Sequence, residues 1–404
     1  MKASSLLIAL SLLCSTAFAA DENTQPLETY ISTNKKAQFN YDYEKAESDS
    51  SVLLDSWIAP LSLDYSYYKN NPYTDEQTTQ SAVLTMNQPI FQSGGIYYGI
   101  KFAQASRIYA NLSVDVAKRK LVKDAISLLM QIKQMDMKIK KQNLQIKNSE
   151  ISLAQKQEQY INGQLDSGFL DNAIIDRNVV IQALYDIETN KEKLISQFNA
   201  ISDMAYTQAS IPHLTTINEE EFLKHNIVLN MSRSDREKSR YNKNITAAKY
   251  LPSVNLTAAY SWYKYEDYVY SSDDASEKDY YKYGVTASIP LDINTFRDVE
   301  SSRIEYLKSN LVIEDKKREL RALFEQVMQN VKNFEKKKLL SIENRELYEK
   351  LLSETKDLFS AGYKTSYDVD LLKNSVSIQT IDLSIFEIDK QLELLTLYEM
   401  YKND

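Results

Sequence analysis

Catalysis and metal binding need imidazoles, thiols, activated hydroxyls or clustered carboxylates at fixed spacing, and this sequence supplies few of them. His213 and His225 are its two histidines, too far apart for one helical turn, and no cysteine stands near either. There is no Gly-rich phosphate loop, no Gly-x-Ser-x-Gly and no His-Glu-x-x-His. Acidic residues are abundant but scattered along helical heptads, where they read as solvated faces. No catalytic residue, metal ligand or cofactor is therefore expected, and the chain is not read as an enzyme. A formal charge of −8 without a basic cluster excludes nucleic acid as a partner.

The start of the chain says where it goes. Met1 to Ala19 carries Lys2, an apolar run from Leu6 to Leu13, and Ala17-Phe18-Ala19 before Ala20. That is the pattern of a secretory signal peptide (1–19) with an A-x-A cleavage site. Cys14 is the single cysteine, and Leu13 before it is too large for a lipidation signal. Removing the signal leaves no thiol for a disulfide. Beyond the signal no apolar run is long enough to cross a bilayer as a helix. A membrane span would have to be a β-barrel.

The remaining chain reads twice, as 20–210 and 211–404. Trp57-Ile58-Ala59-Pro60-Leu61-Ser62-Leu63 opens an extended stretch, and Tyr250-Leu251-Pro252-Ser253-Val254-Asn255-Leu256 opens another. Gln88-Pro89-Ile90-Phe91 and Ile289-Pro290-Leu291 follow in turn. Later still come Tyr160-Ile161-Asn162-Gly163 and Phe359-Ser360-Ala361-Gly362. Two similar units, each a β-hairpin followed by a helical hairpin, are expected.

Strands are expected at about 57–68, 82–91, 253–264 and 282–291, because residue character alternates with period two. One face collects Leu61, Leu63, Tyr65, Val254, Leu256, Tyr260, Trp262, Val285 and Ile289, which makes these the candidate lipid-facing residues. Polar loops join the strands, the longer one from Glu266 to Lys282. Tyr263, Tyr265, Tyr280, Tyr281 and Tyr283 are candidates for an aromatic belt at the membrane boundary.

Helices are expected at about 95–162, 168–205, 295–361 and 366–402. Leu121, Ala125, Leu128, Ile132, Met135, Ile139, Ile146 and Leu153 form one seam, interrupted by Gln142 and Ser149. Leu320, Phe324, Val327, Val331 and Phe334 form another. Val180, Leu184, Ile187, Leu194, Phe198 and Ile201, then Ile378, Ile381, Ile385, Ile388, Leu392 and Leu395, line the returning helices. A repeat near 3.5 residues predicts coiled-coil packing. Gly163 and Gly362 fall where the chain turns back, as a left-handed helix end requires.

Four membrane-length strands cannot close a barrel, and open edges are costly in hydrocarbon. Strands must come from other copies: two copies would give a filled barrel, three a pore.

The order of elements, with Gln88-Pro89-Ile90-Phe91-Gln92-Ser93-Gly94-Gly95 and Ala247-Ala248-Lys249-Tyr250-Leu251-Pro252-Ser253, resembles the TolC family of outer-membrane efflux proteins. The resemblance covers nearly the whole chain after the signal. It implies an α+β membrane protein: a homotrimer with a twelve-stranded β-barrel in the outer membrane of a Gram-negative bacterium, continued by a periplasmic α-helical barrel. It further implies a duct in a tripartite efflux or type I secretion system, working with a periplasmic adaptor and an inner-membrane pump of RND, ABC or MFS type. By the same resemblance, Asn162, Gly163 and Gln164, with Ala361, Gly362 and Tyr363, are the adaptor-contacting turns, and acidic rings close the periplasmic end. Asp368 matches the first ring; the second falls on Leu371, and Asp370 beside it lies on another helix face. An acid at Asp368 also suits the positive end of a helix. Asp166 and Asp171 flank the other turn without a match. The competing reading is a periplasmic coiled-coil adaptor or structural protein without a barrel; it accounts for the heptads and not for the strands.

Overall fold

Heptad-patterned segments free of proline propagate as helix until a residue with positive φ stops them, and two such segments set the length of the molecule. In a computed structural model, which describes residues 27–71, 76–267 and 276–402, α2 (Gly95–Ile161) and α6 (Thr295–Ser360) run for 67 and 66 residues. Each is about 100 Å long at 1.5 Å per residue. The expected signal peptide, with Cys14, lies outside the described residues. Each long helix turns back into a shorter one, α3 (Ser167–Asn199) and α7 (Ser366–Met400).

Two helices of more than twenty residues were not foreseen, and each precedes a β-hairpin. They are α1 (Thr33–Leu54) and α5 (Ile227–Lys249), the latter after the short α4 (Glu219–Lys224). α1 docks mainly through small residues and charges, whereas α5 buries Ile227, Leu229 and Ala248 and adds charged contacts. On α1, Ala46 and Ser50 are buried, Ser50 donates to the Ala103 carbonyl, and Glu47 pairs with Arg107 of α2. On α5, Lys238 sits 4.3 Å from the Tyr109 ring centroid on α2, and Lys243 sits 4.9 Å from that of Tyr306 on α6. These ammonium–ring contacts supplement the buried Ile227 and Leu229 in holding α5.

The strands are β1 (Ser62–Asn70), β2 (Gln77–Phe91), β3 (Ser253–Asp267) and β4 (Ser276–Ser288), in one antiparallel sheet ordered β1-β2-β3-β4. β2 begins at Gln77 rather than near 82, and three further boundaries differ from expectation. First, β1 starts after Leu61, because Trp57 to Ala59 is held as a turn: the Gln88 amide donates to the Trp57 carbonyl and accepts from the Ala59 N–H. Secondly, β4 ends before Ile289, where Pro290 cannot donate to a ladder. Thirdly, the described residues of the loop expected from Glu266 to Lys282 are strand, 266–267 closing β3 and 276–282 opening β4.

Helix neighbours follow one lateral order. In the half toward the hairpin tips it is α3-α2-α7-α6; toward the sheet it is α1-α2-α5-α6. α2 is therefore flanked on both sides, and its buried set is wider than one seam. Val122, Ile126, Leu129 and Met130 join the expected Ala125 and Ile132. With Leu320, Phe324, Val327 and Val331 of α6 and Leu394, Leu395 and Leu397 of α7 they make one core, closed by Phe198 and Phe222. Seam polars are satisfied: Gln142 donates to the Val180 carbonyl at 2.8 Å, and Gln391 both accepts from the Leu214 N–H and donates to its carbonyl. Paired polar groups fix helix register at little cost.

Candidate functional site

Directly opposed residues in a sheet point to the same side, so the strand register sorts every side chain onto one of two faces. Leu63, Leu84, Tyr260 and Tyr281 share one row; Tyr65, Ala82, Trp262 and Asp279 share the next; Leu256 and Val285 oppose one another lower down. This face is apolar and aromatic. Of the candidate lipid-facing residues, Leu63, Tyr65, Val254, Leu256, Tyr260, Trp262 and Val285 all lie on it, while Leu61 and Ile289 stand just beyond the strand ends. Near the loops it becomes charged. Trp262 donates to Glu277, Tyr260 donates to Asp279 at 3.1 Å, and Lys69 pairs with Glu76.

The opposite face carries hydroxyls. Ser62 bonds Thr85 at 2.5 Å, Ser66 bonds Ser81 at 2.7 Å, Ser253 bonds Ser288 at 3.1 Å, and Thr257 donates to Asn87 at 3.2 Å. These cross-strand pairs went unread in the sequence, although Ser62, Ser66, Ser81 and Thr85 recur at even spacing. The tyrosines expected to form one belt divide between the faces. Tyr281 and Tyr283 lie on the apolar face, whereas Tyr263, Tyr265 and Tyr280 lie on the hydroxyl face and stack on one another. A belt at the lipid boundary can include only the first two.

Sheet and helices are joined at the Gln-Pro-Ile-Phe segment. The ladder shifts register between Pro89 and Phe91, Ser93 donates to the Pro252 carbonyl at 2.6 Å, and Gly94 begins α2 at φ +89°. The Ser93 bond ties the first repeat's turn to the second repeat's strand entry.

At the far end both helical hairpins turn by one motif. Gly163 and Gly362 have φ of +70° and +80°. The Gln164 N–H reaches the Gln159 carbonyl and Tyr363 N–H the Leu358 carbonyl, both at 2.8 Å, while each glycine N–H bonds the carbonyl three residues back. This bond pair satisfies the last carbonyls of the helix and requires the left-handed residue. The candidate turn residues Asn162, Gly163, Gln164, Ala361, Gly362 and Tyr363 are all exposed.

The candidate gate residues begin the returning helix. Asp368 Oδ2 accepts from both the Thr365 N–H at 3.0 Å and the Thr365 hydroxyl at 2.8 Å, and Thr365 accepts in return from the Asp368 N–H. This capping box closes two open donors of α7. Those bonds hold the Asp368 carboxyl below the ordinary aspartate range, with Lys364 adding a smaller pull. Asp370 is exposed. Asp166 is the N-cap of α3, accepting from the Gly168 N–H. Across the two hairpins Tyr367 donates to Glu158 at 2.9 Å, Asn374 to Asn148 at 2.8 Å, and Lys141 pairs with Asp382 at 2.6 Å.

His213 is exposed, and His225 ends α4 with its ring edge-on to Tyr401. Among the described residues no group of three or more His, Cys, Asp or Glu side chains is placed to hold a metal ion, and no helix is long and apolar enough to cross a membrane.

This architecture is that of solved outer-membrane channels. The outer membrane protein VceC of Vibrio cholerae matches with a TM-score of 0.72 at 14% identity, over 93% of this chain and 95% of that one. The CmeC outer membrane channel of Campylobacter jejuni matches at 0.69 and 10% identity, over 94% and 86%. The open-state MtrE outer membrane channel of Neisseria gonorrhoeae matches at 0.65 and 10% identity, over 93% and 87%. No protein-family model and no curated protein sequence matches the chain. At these identities the likeness defines the fold, that of solved outer-membrane channels, and it agrees with the α+β organisation that the TolC resemblance implied.

The capping box has a pH signature. A carboxyl whose folded pKa is depressed contributes stability above its unfolded pKa and loses it as pH falls through the folded value. In side-chain carboxyl NMR, Asp368 is expected to titrate below ordinary aspartates. Thr365→Ala is expected to raise that midpoint and to cost about 1 kcal/mol at the start of α7, read as faster amide exchange there. An unchanged midpoint would contradict the capping assignment.

Proposed function

We propose that the chain is the subunit of a homotrimeric outer-membrane duct, with a twelve-stranded barrel in the lipid and an α-helical barrel in the periplasm. The observation that carries this reading is that every layer of the subunit is open at the same two sides. β1 and β4 are the sheet's edges, α1 and α6 those of the upper helical layer, and α3 and α6 those of the lower. Apolar side chains are stranded along those sides: Leu291, Ile293 and Phe296 are 97%, 88% and 86% exposed, and Ile304 and Leu311 of α6 and Ile175 and Val179 of α3 are exposed as well. Large exposed apolar strips mark surfaces that another chain covers. Identical copies placed edge to edge would pair β4 with β1 and cover α6 at once. Two copies give eight strands, whose interior side chains fill; three give a water-filled bore lined by the hydroxyl face.

In that assembly the outer-membrane lipid meets the apolar face. The duct passes substrates from an inner-membrane pump (RND, ABC or MFS type) and a periplasmic adaptor to the outside, in efflux or type I secretion. Asp368 is the gate acid, its ionised form favoured by the capping bonds, and Asp370 lies beside it on a different face. The two glycine turns are the adaptor contacts. A periplasmic adaptor without a barrel would have no use for a two-faced sheet of this length.

Three experiments test the parts separately. Leu256→Arg on the apolar face is expected to cost about 2–4 kcal/mol of barrel stability and to deplete heat-modifiable trimers, while Thr257→Arg on the other face is tolerated; equal effects would refute the assignment of faces. In planar bilayers the purified protein is expected to give discrete conductance steps that divalent cations block, and Asp368→Asn is expected to weaken that block several-fold. No change on that substitution removes Asp368 from the gate. Gly163→Val with Gly362→Val is expected to leave trimers intact and abolish export, with adaptor cross-linking lost; retained cross-linking would remove the turns from the adaptor contact.

A further inference from the structure

The hydroxyl face is not uniformly hydrophilic. Near the hairpin loops the rings of Tyr265, Tyr263 and Tyr280 form a ladder, with centroids 6.1 Å and 5.8 Å apart and ring planes within 5° and 3° of parallel. Ser261, in register with Tyr280, is only 4% exposed beneath them, yet Tyr265 and Tyr280 are themselves exposed. Cross-strand aromatic pairs do stabilise sheets, but a sheet gains that on its lipid side too. Rings left open toward water present apolar surface without covering any core.

Among the described side chains beside the ladder, the charge contributed by β4 to this face is positive. Lys278 stands in register with Tyr263, and Lys282 follows Tyr280 on the same side of β4. Among the described side chains of β1 to β4, Asp64 is the one acid on this face, and it lies on the opposite edge strand. A π face alone attracts cations; flanking lysines reverse that preference and leave stacking available to a planar group with a negative charge.

We propose that this ladder is a binding station for planar aromatic anions, such as aromatic carboxylates, at the outer mouth of the bore, stacking on the tyrosine rings with the carboxylate toward Lys278 and Lys282. The site rests on the channel reading above, since only a closed barrel turns this face inward. It names a solute class that the bore would delay or favour on its way out.

The test uses the full-length trimer in planar bilayers, with 2-naphthoate or hexanoate added on the loop side. 2-Naphthoate is expected to interrupt the current at concentrations about tenfold below those of hexanoate, which has the same charge and no ring. Tyr263→Leu is expected to abolish that difference, and Lys278→Gln to weaken 2-naphthoate block several-fold while leaving a preference for the ring. Should Tyr263→Leu give no channels, Tyr280→Leu carries the same measurement. Steady conductance with equal block by the two anions, or a difference that survives the tyrosine substitutions, overturns the station and leaves the channel standing. An absence of conductance from the unsubstituted protein overturns the channel reading and the station with it.

Discussion

An unpaired backbone N–H or carbonyl in hydrocarbon costs several kcal/mol, because nothing there can bond it. In the proposed barrel, that cost governs the subunit. A sheet of four strands has two edges, and β1 and β4 each present a row of such groups. In water an edge can be blunted with charge or proline; within a bilayer it must be paired. The helical layers share the problem in weaker form, since α6 exposes apolar residues rather than backbone. Because the same side of the subunit is open at every level, one rotational operation on identical copies would satisfy all three layers of the proposed assembly. The long helices would be a corollary: with their edges covered by neighbours in the proposed assembly, they would gain stability from packing along their whole length rather than from propensity.

The change from strand to helix periodicity has to occur within a few residues, where sheet and helical layer meet. Gln88 illustrates how. Its amide holds the turn before β1, so the residue that opens the Gln-Pro-Ile-Phe segment also fixes where the first strand starts. One residue later the ladder slips between Pro89 and Phe91, and a slip of that kind bends a strand and increases its twist. Gly94 then takes the left-handed conformation that starts α2. Proline, a bulge and a glycine thus occupy consecutive steps at the point where sheet geometry must be abandoned. Elsewhere glycine and proline would only interrupt long elements, which agrees with the presence of seven of each in the chain.

What could be read from the sequence was whatever an isolated segment reports about itself. Leu320, Phe324, Val327 and Val331 repeat at coiled-coil spacing and are buried. The apolar alternation through Leu256, Tyr260 and Trp262 marks one face of β3, and the register extends it across the sheet. What escaped depended on a partner. α1 and α5 dock in part by Glu47, Lys238 and Lys243, whose role appears only beside Arg107, Tyr109 and Tyr306. Ile126 and Met130 look like the back of a seam until α2 is seen flanked on both sides. The tyrosines of β3 and β4 form one group by composition, and only position parity against neighbouring strands separates Tyr281 and Tyr283 from Tyr263, Tyr265 and Tyr280.

Asp368 caps a helix, and in the proposed duct the same carboxylate would also serve as the gate acid. As a helix cap it uses one oxygen: both bonds from Thr365 converge on Oδ2, which leaves Oδ1 for water or a cation. The cap also fixes the carboxylate's position at the start of α7 and lowers its affinity for a proton. Three free carboxylates brought near one axis would raise one another's pKa and tend to share protons. Three capped ones resist that tendency, because protonating any of them weakens the bonds that start its helix. Thr365 would therefore act on such a ring as a positioning residue, keeping the charge on and the helix end in place by the same two hydrogen bonds.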